Sequence, residues 1–226
     1  MISIVVPVLD EAAGIGASLA ALKAFRVSGA EVIVVDGGSR DATRFIAVAL
    51  ADRVIDAPRG RASQMNAGAA AARGDVLLFL HADTTLPTSA LAAIDHALDA
   101  RHAWGRFDVS ISGGGALLAT VAAMMNARSR LTGIATGDQA IFARREAFER
   151  AGRFASIPLM EDVALSKALK AVSPPACLRE RVVTSGRRWQ KHGTLRTIVL
   201  MWWLRFAYSM GADPGSLARR YGTGRA

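Results

Sequence analysis

The chain has 226 residues, enough for one sizeable α/β core and short for two full domains. Hydrophobic residues make up 51% and charged residues 21%, which excludes a disordered chain. A net charge of +9, from 28 Lys+Arg against 19 Asp+Glu, points to an anionic partner: a phosphorylated substrate, a nucleic acid or an acidic membrane surface.

The first hundred residues alternate strand and helix signals. Ile2–Val6 is a short β-branched run, and Met1–Leu9 has no basic leader before Asp10 and Glu11, so no signal peptide is expected. Gly14–Phe25 carries Ile15, Leu19, Leu22 and Phe25 at helical spacing. Glu31–Val35 is an unbroken apolar strand after its first residue, the pattern of a parallel strand buried on both faces. A helix is expected over Asp41–Leu50, a short strand over Arg53–Ile55 and an Ala-rich helix over Ser63–Arg73. Val76–Leu80 is wholly apolar and reads as a fourth strand, and Thr88–Arg101 as a helix. This β-α-β-α order predicts an α/β fold with a doubly wound parallel sheet. Ligands of such sheets bind outside the carboxyl ends of the strands, which singles out Pro7–Glu11, Asp36–Asp41, Arg59–Arg61 and His81–Thr84.

The second half differs. Arg106–Ser112 alternates like a strand and is broken by Gly113-Gly114-Gly115; Ala116–Met125 is apolar and helical. Gln139–Ala143 reads as a short strand and Met160–Leu169 as a helix that starts with acids. Cys177 is the only cysteine; it excludes an intrachain disulfide and a Cys-rich zinc site, and fits a reducing cytosol. Leu195–Met210 is a very apolar helix with Trp202 and Trp203, and no run reaches the ~18 residues of a membrane span. Arg196 and Arg205 stand nine residues apart, on opposite helix faces, so packing on the body of the protein, homodimer formation and contact with a membrane surface are all open for this helix.

Four motifs carry chemistry. Asp36-Gly37-Gly38-Ser39-Arg40-Asp41 directly follows the second strand, where glycines let the backbone turn and approach a ligand and a helix N-terminus favours anions. It also reads as an ordinary capped turn. The dinucleotide fingerprint and the Gly-Lys-Ser/Thr phosphate loop are absent. In His81-Ala82-Asp83, an acid at the end of a buried strand can hold a divalent cation that bridges a diphosphate, or merely cap a turn. Glu161-Asp162 at a helix start suits the helix dipole or supplies a general base. Arg187-Arg188-Trp189 can clamp a phosphate and stack on a ring, or form a solvated basic face.

Taken in order, these pieces resemble a family 2 glycosyltransferase with the GT-A fold, a Rossmann-like, mostly parallel sheet flanked by helices, here followed by a C-terminal apolar helix. The resemblance rests on Val5-Val6-Pro7-Val8-Leu9-Asp10-Glu11, on Val34-Val35-Asp36-Gly37-Gly38-Ser39-Arg40-Asp41-Ala42-Thr43, and on Asn66-Ala67-Gly68 with Ala72-Arg73-Gly74-Asp75. His81-Ala82-Asp83 takes the place of the family's Asp-X-Asp, and Glu161-Asp162 that of its acceptor-side pair. Gly105–Val109, Thr136–Phe142, Pro158–Asp162 and Ser185–Trp189 are further similar to a bacterial subfamily labelled selenodomain-associated or arsenosugar-biosynthesis glycosyltransferase.

The resemblance implies a catalytic domain over 1–193, with a nucleotide-sugar half (1–103) and an acceptor half (104–193), and a helical extension over 194–226. It implies an inverting transfer from a UDP- or GDP-type sugar to a hydroxyl acceptor, in the cytoplasm or at the inner face of its membrane. Asp162 is the general base and Glu161 its neighbour on the acceptor side. Asp83 is the ligand of Mg²⁺ or Mn²⁺. Pro7, Asp10, Glu11, Asp36, Arg61, Asn66, His81, Ala82, Asp138, Gln139, Arg188 and Trp189 are the nucleotide- and substrate-binding set. Two departures stand out: the family usually has a second Asp where this chain has Gly37, and its first Asp-X-Asp acid is His81 here, so metal binding leans on Asp83.

A nucleotidyltransferase is the nearest enzymatic alternative, but it would show a Gly-rich basic loop after the first strand, where this chain is acidic. A transferase-like protein without activity is a second. A nucleic-acid binder is set aside because the basic residues are scattered and aromatics are only 6%.

Overall fold

The computed structural model describes residues 1–187, 189 and 193–222. Eight strands form one sheet in the order β3-β2-β1-β4-β7-β6-β8-β5. The strands β1 (Ile2–Val8), β2 (Glu31–Asp36), β3 (Arg53–Asp56) and β4 (Val76–Phe79) pair in parallel around β1. Helices α1 (Ala12–Ala21), α2 (Lys23–Val27), α3 (Thr43–Leu50) and α4 (Arg61–Ala71) supply the crossovers. The chain leaves β1 toward β2 on one side and returns to β4 on the other. The crevice at the carboxyl ends of β1 and β4 is therefore the place where this topology opens for a ligand.

Strand β5 (Thr84–Thr85) and helix α5 (Ala90–Ala97) lead to β6 (Trp104–Ile111) and the long helix α6 (Ala116–Thr132). A 3₁₀ turn over Gly137–Gln139, β7 (Phe142–Arg144), α7 (Arg145–Arg150), α8 (Glu161–Val172) and β8 (Ala176–Thr184) follow. Here the mostly parallel sheet takes its antiparallel strands: β7 runs antiparallel to both β4 and β6, and β5 antiparallel to β8. The expected Gln139–Ala143 strand is shorter, because Gln139 belongs to the 3₁₀ turn and Ala140 has φ 47°, off the extended region.

Side chains alternate across β1, β2 and β4 and build a core on each face. Ile4, Val6, Val8, Val32, Val34, Leu78 and Leu80 point one way. Val5, Ile33, Val35, Leu77 and Phe79 point the other, into the α4, α7 and α8 side. Helix α4 lies very close to this second face. A Cβ on Gly68 would stand 2.3 Å from Val5 Cγ1, so the small residue sets the distance between helix and sheet.

Helices α9 (Thr194–Ser209) and α10 (Pro214–Tyr221) close the described chain. Leu204, Leu217 and Ala218 form a small core with Leu159, Met160 and Val163 at the head of α8. Helix α10 is capped by Asp213, whose Oδ2 accepts from Ser216 N at 2.8 Å, with Pro214 at its first position. On α9 the apolar residues do not all turn inward. Leu195, Val199, Trp202, Phe206 and Met210 share one face and are exposed, whereas Thr197 and Leu204 are buried opposite. No helix among the described residues is long and apolar enough to cross a membrane.

Candidate active site

A cavity of about 820 Å³ opens at the carboxyl ends of β1 and β4. Pro7, Glu11, Arg61, His81, Ala82, Asp83 and Glu161 line it, so the strand-end expectation and the acceptor-side acid meet in one space. The strand-end segment is tied down from both sides. Leu80 N donates to Val5 O at 3.0 Å, Ser18 Oγ on α1 to Ala82 O at 2.5 Å, and Thr84 N to His81 O at 3.0 Å, which closes a tight turn around Asp83.

Asp83 and Glu11 face each other across the mouth. Arg187 Nη2 stands 3.9 Å from Asp83 Oδ2 and 3.7 Å from Glu11 Oε2. Burial pushes the Glu11 carboxyl above its usual range; Arg187 opposes this, and the charges of Asp83 and Asp41 add to it. This acidic pair attracts a cation, and a guanidinium holds that position here. Mg²⁺ needs only one or two carboxylates when a diphosphate completes its shell, so Asp83 with Glu11 nearby fits such an ion. Among the described residues no cluster of three or more His, Cys, Asp and Glu forms a cage that would hold a metal without a ligand.

His81 points away from the mouth toward the 3₁₀ turn. Its Nδ1 lies 3.4 Å from Asp138 Oδ1, and its ring presses on Gly137, where a Cβ would come within 2.4 Å of Nε2. Loss of solvation opposes ionisation of Asp138. The hydrogen bond from His81 and the charges of His81, Arg61 and Arg205 outweigh it and hold the carboxyl below its usual range.

The acidic pair at the head of α8 is divided. Asp162 is anchored: its Oδ2 accepts from Gly137 N at 2.8 Å and its Oδ1 from Val163 N at 2.7 Å. Glu161 is 5% exposed and faces the cavity. Burial, then the charge of Asp162, push Glu161 above the usual carboxylate range against the pull of Arg61. Partial loss of solvation opposes the charge of Arg61, which is itself exposed, but Glu161, Tyr221, Asp138 and Asp162 together hold it on more firmly than usual. Just before the pair, Met160 is buried with φ 70°, a conformation costly for a residue with a side chain. That bend aims the first turn of α8 at the cavity.

Several residues of the sequence-derived set do not line the cavity. The Asp10 carboxylate accepts from Arg40 N at 2.8 Å, and Asp36 is buried and accepts from Ser39 N and Oγ, so both hold loops together. Asn66 exchanges two hydrogen bonds with the backbone of Phe154, pinning the segment that leads to the cavity wall at Ser156–Leu159. Gln139 is fully buried, its Oε1 taking Thr136 N; it shapes the turn that carries Gly137 and Asp138 and does not line the cavity. Trp189 packs against the core, and Arg188 lies outside the described residues.

Three contributors were absent from that set. Gln64 donates to Val8 O and Val35 O at 2.8 Å each and knits β1 to β2 at the cavity floor. Its amide stands 3.0 Å from where a Cβ on Gly37 would be, so Gln64 occupies the space a side chain at 37 would need. Arg187 bridges Glu11 and Asp83, and Gly222 at the end of α10 forms part of the wall. A polar residue on the buried face of α4, beside Ala62 and Met65, was the available signal for Gln64.

The chain matches the family model of glycosyl transferase family 2 over residues 3–150. A comparison with curated protein sequences gives no match. Among solved structures it resembles a mannosyltransferase from Pyrobaculum calidifontis in complex with GDP-Man and Mn²⁺: 22% identity and TM-score 0.65, with 91% of this chain covering 60% of that one. It also resembles residues 1–349 of TarS from S. aureus, with 16% identity, 82% and 60% coverage, and TM-score 0.63. A third is glucosyl-3-phosphoglycerate synthase from Mycobacterium tuberculosis with Mn²⁺, UDP and glucosyl-3-phosphoglycerate, at 19% identity, 81% and 70% coverage, and TM-score 0.58. The chain thus spans about 60% of the length of the first two. With a family model covering well over half of its residues and a GT-A sheet around the cavity just described, this chain belongs to glycosyl transferase family 2.

Proposed function

We propose that the protein is an inverting glycosyltransferase that moves a sugar from a UDP- or GDP-type donor to a hydroxyl acceptor. The observation that carries this reading is the single cavity that brings Glu11, Asp83 and three strand-end residues together with Arg61 and Glu161. Family membership and the nucleotide complexes of the similar structures support it.

The donor diphosphate sits between Asp83 and the guanidiniums of Arg61 and Arg187. A Mg²⁺ or Mn²⁺ ion at Asp83, when bound, supplies charge that neutralises the leaving diphosphate. Arg187 gives up its contacts with Asp83 and Glu11 and turns to the phosphate oxygens, where its fork can bind two of them. Asp162 takes the proton of the acceptor hydroxyl. That oxygen attacks the anomeric carbon from the face opposite the diphosphate; the new C–O bond forms as the old one breaks, and its electron pair leaves with the diphosphate. The two backbone N–H bonds on Asp162 fix its direction.

A second reading makes Glu161 the base, because it faces the cavity and burial raises its carboxyl above the usual range. The two part cleanly. If Asp162 is the base, D162N keeps donor binding and loses at least ~100-fold in kcat, while E161Q retains most of its turnover. Near-normal turnover by D162N sinks the assignment, and loss only in E161Q transfers the role.

The exposed face of α9 is the basis for placing the protein on an anionic membrane surface: an apolar stripe with Arg196 beside it, on a chain of net charge +9. Sedimentation with vesicles containing an anionic lipid should fall when Trp202 and Phe206 are changed to Ser. Equal sedimentation of that variant, or burial of the stripe in a dimer seen by light scattering, refutes it.

A further inference from the structure

Glu11 and Asp83 differ from the other acids near the strand ends. Asp10 accepts from Arg40 N, Asp36 from Ser39 N, and Asp41 from Ala12 N and Thr43 N, so those charges are spent on the backbone. Glu11 and Asp83 meet a cation instead. Arg187 Nη2 lies 3.7 Å from Glu11 Oε2 and 3.9 Å from Asp83 Oδ2, and among the described residues no other cation comes within ion-pair distance of either. One nitrogen thus stands almost equally far from both carboxylates, where any cation drawn by the two would settle.

The arm that carries this guanidinium has a fixed root. Strand β5 follows Asp83 directly and pairs antiparallel with β8, Thr84 opposite Thr184, so the chain beyond Thr184 turns back past Asp83. Ser112 N donates to Thr184 O at 2.9 Å, and a Cβ on Gly186 would stand 2.1 Å from Ser112 O, so the root lies hard against the end of β6. Ser185 Oγ accepts from Arg187 N at 3.2 Å and from Nε at 3.1 Å, which aims the side chain. The head is free to move: the Arg187 side chain is 61% exposed, so it can change partners by rotamer alone, without unpacking the core.

We infer that Arg187 is the resident counter-ion of this site: in the nucleotide-free protein it fills the cation position between Glu11 and Asp83, so a divalent ion and a nucleoside diphosphate bind tightly only together. The inference rests on the reading of Asp83 as the carboxylate that faces the ion and the diphosphate. A divalent ion arriving alone has to displace a guanidinium that gains no other anion. A diphosphate arriving alone has to draw Arg187 off two carboxylates and leaves them unanswered beside its own negative charge. When both arrive, the carboxylates keep a cation and the fork of Arg187 takes phosphate oxygens. The coupling is reciprocal: the factor by which the nucleotide tightens the ion is the factor by which the ion tightens the nucleotide.

The test reads binding and needs no acceptor or turnover. Mn²⁺ is titrated into the full chain and followed by electron paramagnetic resonance, alone and with saturating UDP or GDP. The wild type holds Mn²⁺ weakly alone and far more tightly with nucleotide. R187Q holds Mn²⁺ alone on the order of 10-fold more tightly than the wild type, and the gain that nucleotide adds shrinks by at least that factor. R187K keeps a cation on the arm and stays near the wild type for Mn²⁺ alone. R196Q, which removes the same charge from α9, leaves Mn²⁺ affinity unchanged, and D83N/R187Q loses the gain of R187Q.

Mn²⁺ binding by R187Q no tighter than by the wild type, with nucleotide still tightening the ion in both, overturns the inference and leaves the metal reading of Asp83 standing. An equal gain in R196Q reduces the effect to net charge and overturns it as well. A gain that survives in D83N/R187Q places the ion away from Asp83, and then the metal reading and the inference fall together.

Discussion

Gly137→Ala is the sharpest probe of how the candidate site is held. The backbone at Gly137 has no positive φ, so alanine is conformationally acceptable and the effect comes from contact alone. The new Cβ would lie 2.4 Å from His81 Nε2 and 2.5 Å from Cε1. Ordinary contact begins near 3.4 Å, so something must move by about 1 Å. Two routes are open, and each disturbs the site. If the His81 ring swings out, its 3.4 Å contact with Asp138 is lost. If the turn retreats instead, Gly137 N is drawn from Asp162, whose carboxylate it holds at 2.8 Å. A misplacement of ~1 Å at a reacting group costs on the order of 100-fold in rate. The expected result is a folded protein with unchanged donor affinity and kcat lowered by roughly that factor, read by nucleoside diphosphate release in the presence of acceptor. The double variant H81A/G137A makes room for the methyl group and should be no slower than H81A, a strongly non-additive cycle. Turnover of G137A within about 3-fold of wild type, in a protein of normal Tm, would refute this account of the His81–Gly137 contact.

Asp83→Ala should abolish the Mn²⁺-dependent part of nucleoside diphosphate binding in calorimetry; an unchanged dependence on the ion removes Asp83 from the metal site. Glu161 gives a pH signature in stability. Its folded-state pKa is raised, so the unfolded chain ionises first as pH climbs from the ordinary carboxylate range, and stability falls until the folded form has ionised as well. Glu161→Gln should therefore raise Tm at neutral pH and lose that advantage below about pH 4. An advantage that grows on acidification would reverse the sign and refute the burial argument.

How much of this was legible in the sequence depends on where the forces lie. Strands β1, β2 and β4 are continuous apolar runs because both faces of a parallel sheet are covered, so a single line of sequence reports them. Strand β8 was missed: Arg179, Glu180 and Arg181 interrupt it, and only its pairing with β6 makes it a strand. Helix α7, six residues with four charges, has no periodicity to read. The expected Gly14–Phe25 helix is broken near Leu22, where a new turn starts and Phe25 reaches the core from α2. In the site, the ends of strands predicted Pro7, Glu11, His81 and Asp83 because topology alone dictates where they emerge. The Arg187 motif was legible as a phosphate clamp, but its approach to Glu11 and Asp83 depends on which segment comes to rest against which, as does the seating of Gln64 on the carbonyls of β1 and β2. Gln139 shows the reverse case: a polar residue in a functional stretch that spends its hydrogen bonds inside the protein.

The two departures from the family's acidic pattern belong to local arrangements that accommodate them. At position 37 a side chain would meet the Gln64 amide, and Gln64 joins β1 to β2 by bonds to both strands. Glycine there thus goes with a stiffened cavity floor. At position 81 the imidazole is seated because position 137 lacks a Cβ, and it brings the Asp138 carboxylate within 3.4 Å. The negative charge that an aspartate at 81 would carry is supplied from the 3₁₀ turn instead, one residue from the backbone N–H that holds Asp162. His81 therefore couples the donor end of β4 to the turn that orients the proposed base. On the proposed reading, that coupling gives the histidine a role in alignment and leaves Asp83 as the strand-end carboxylate that lines the cavity.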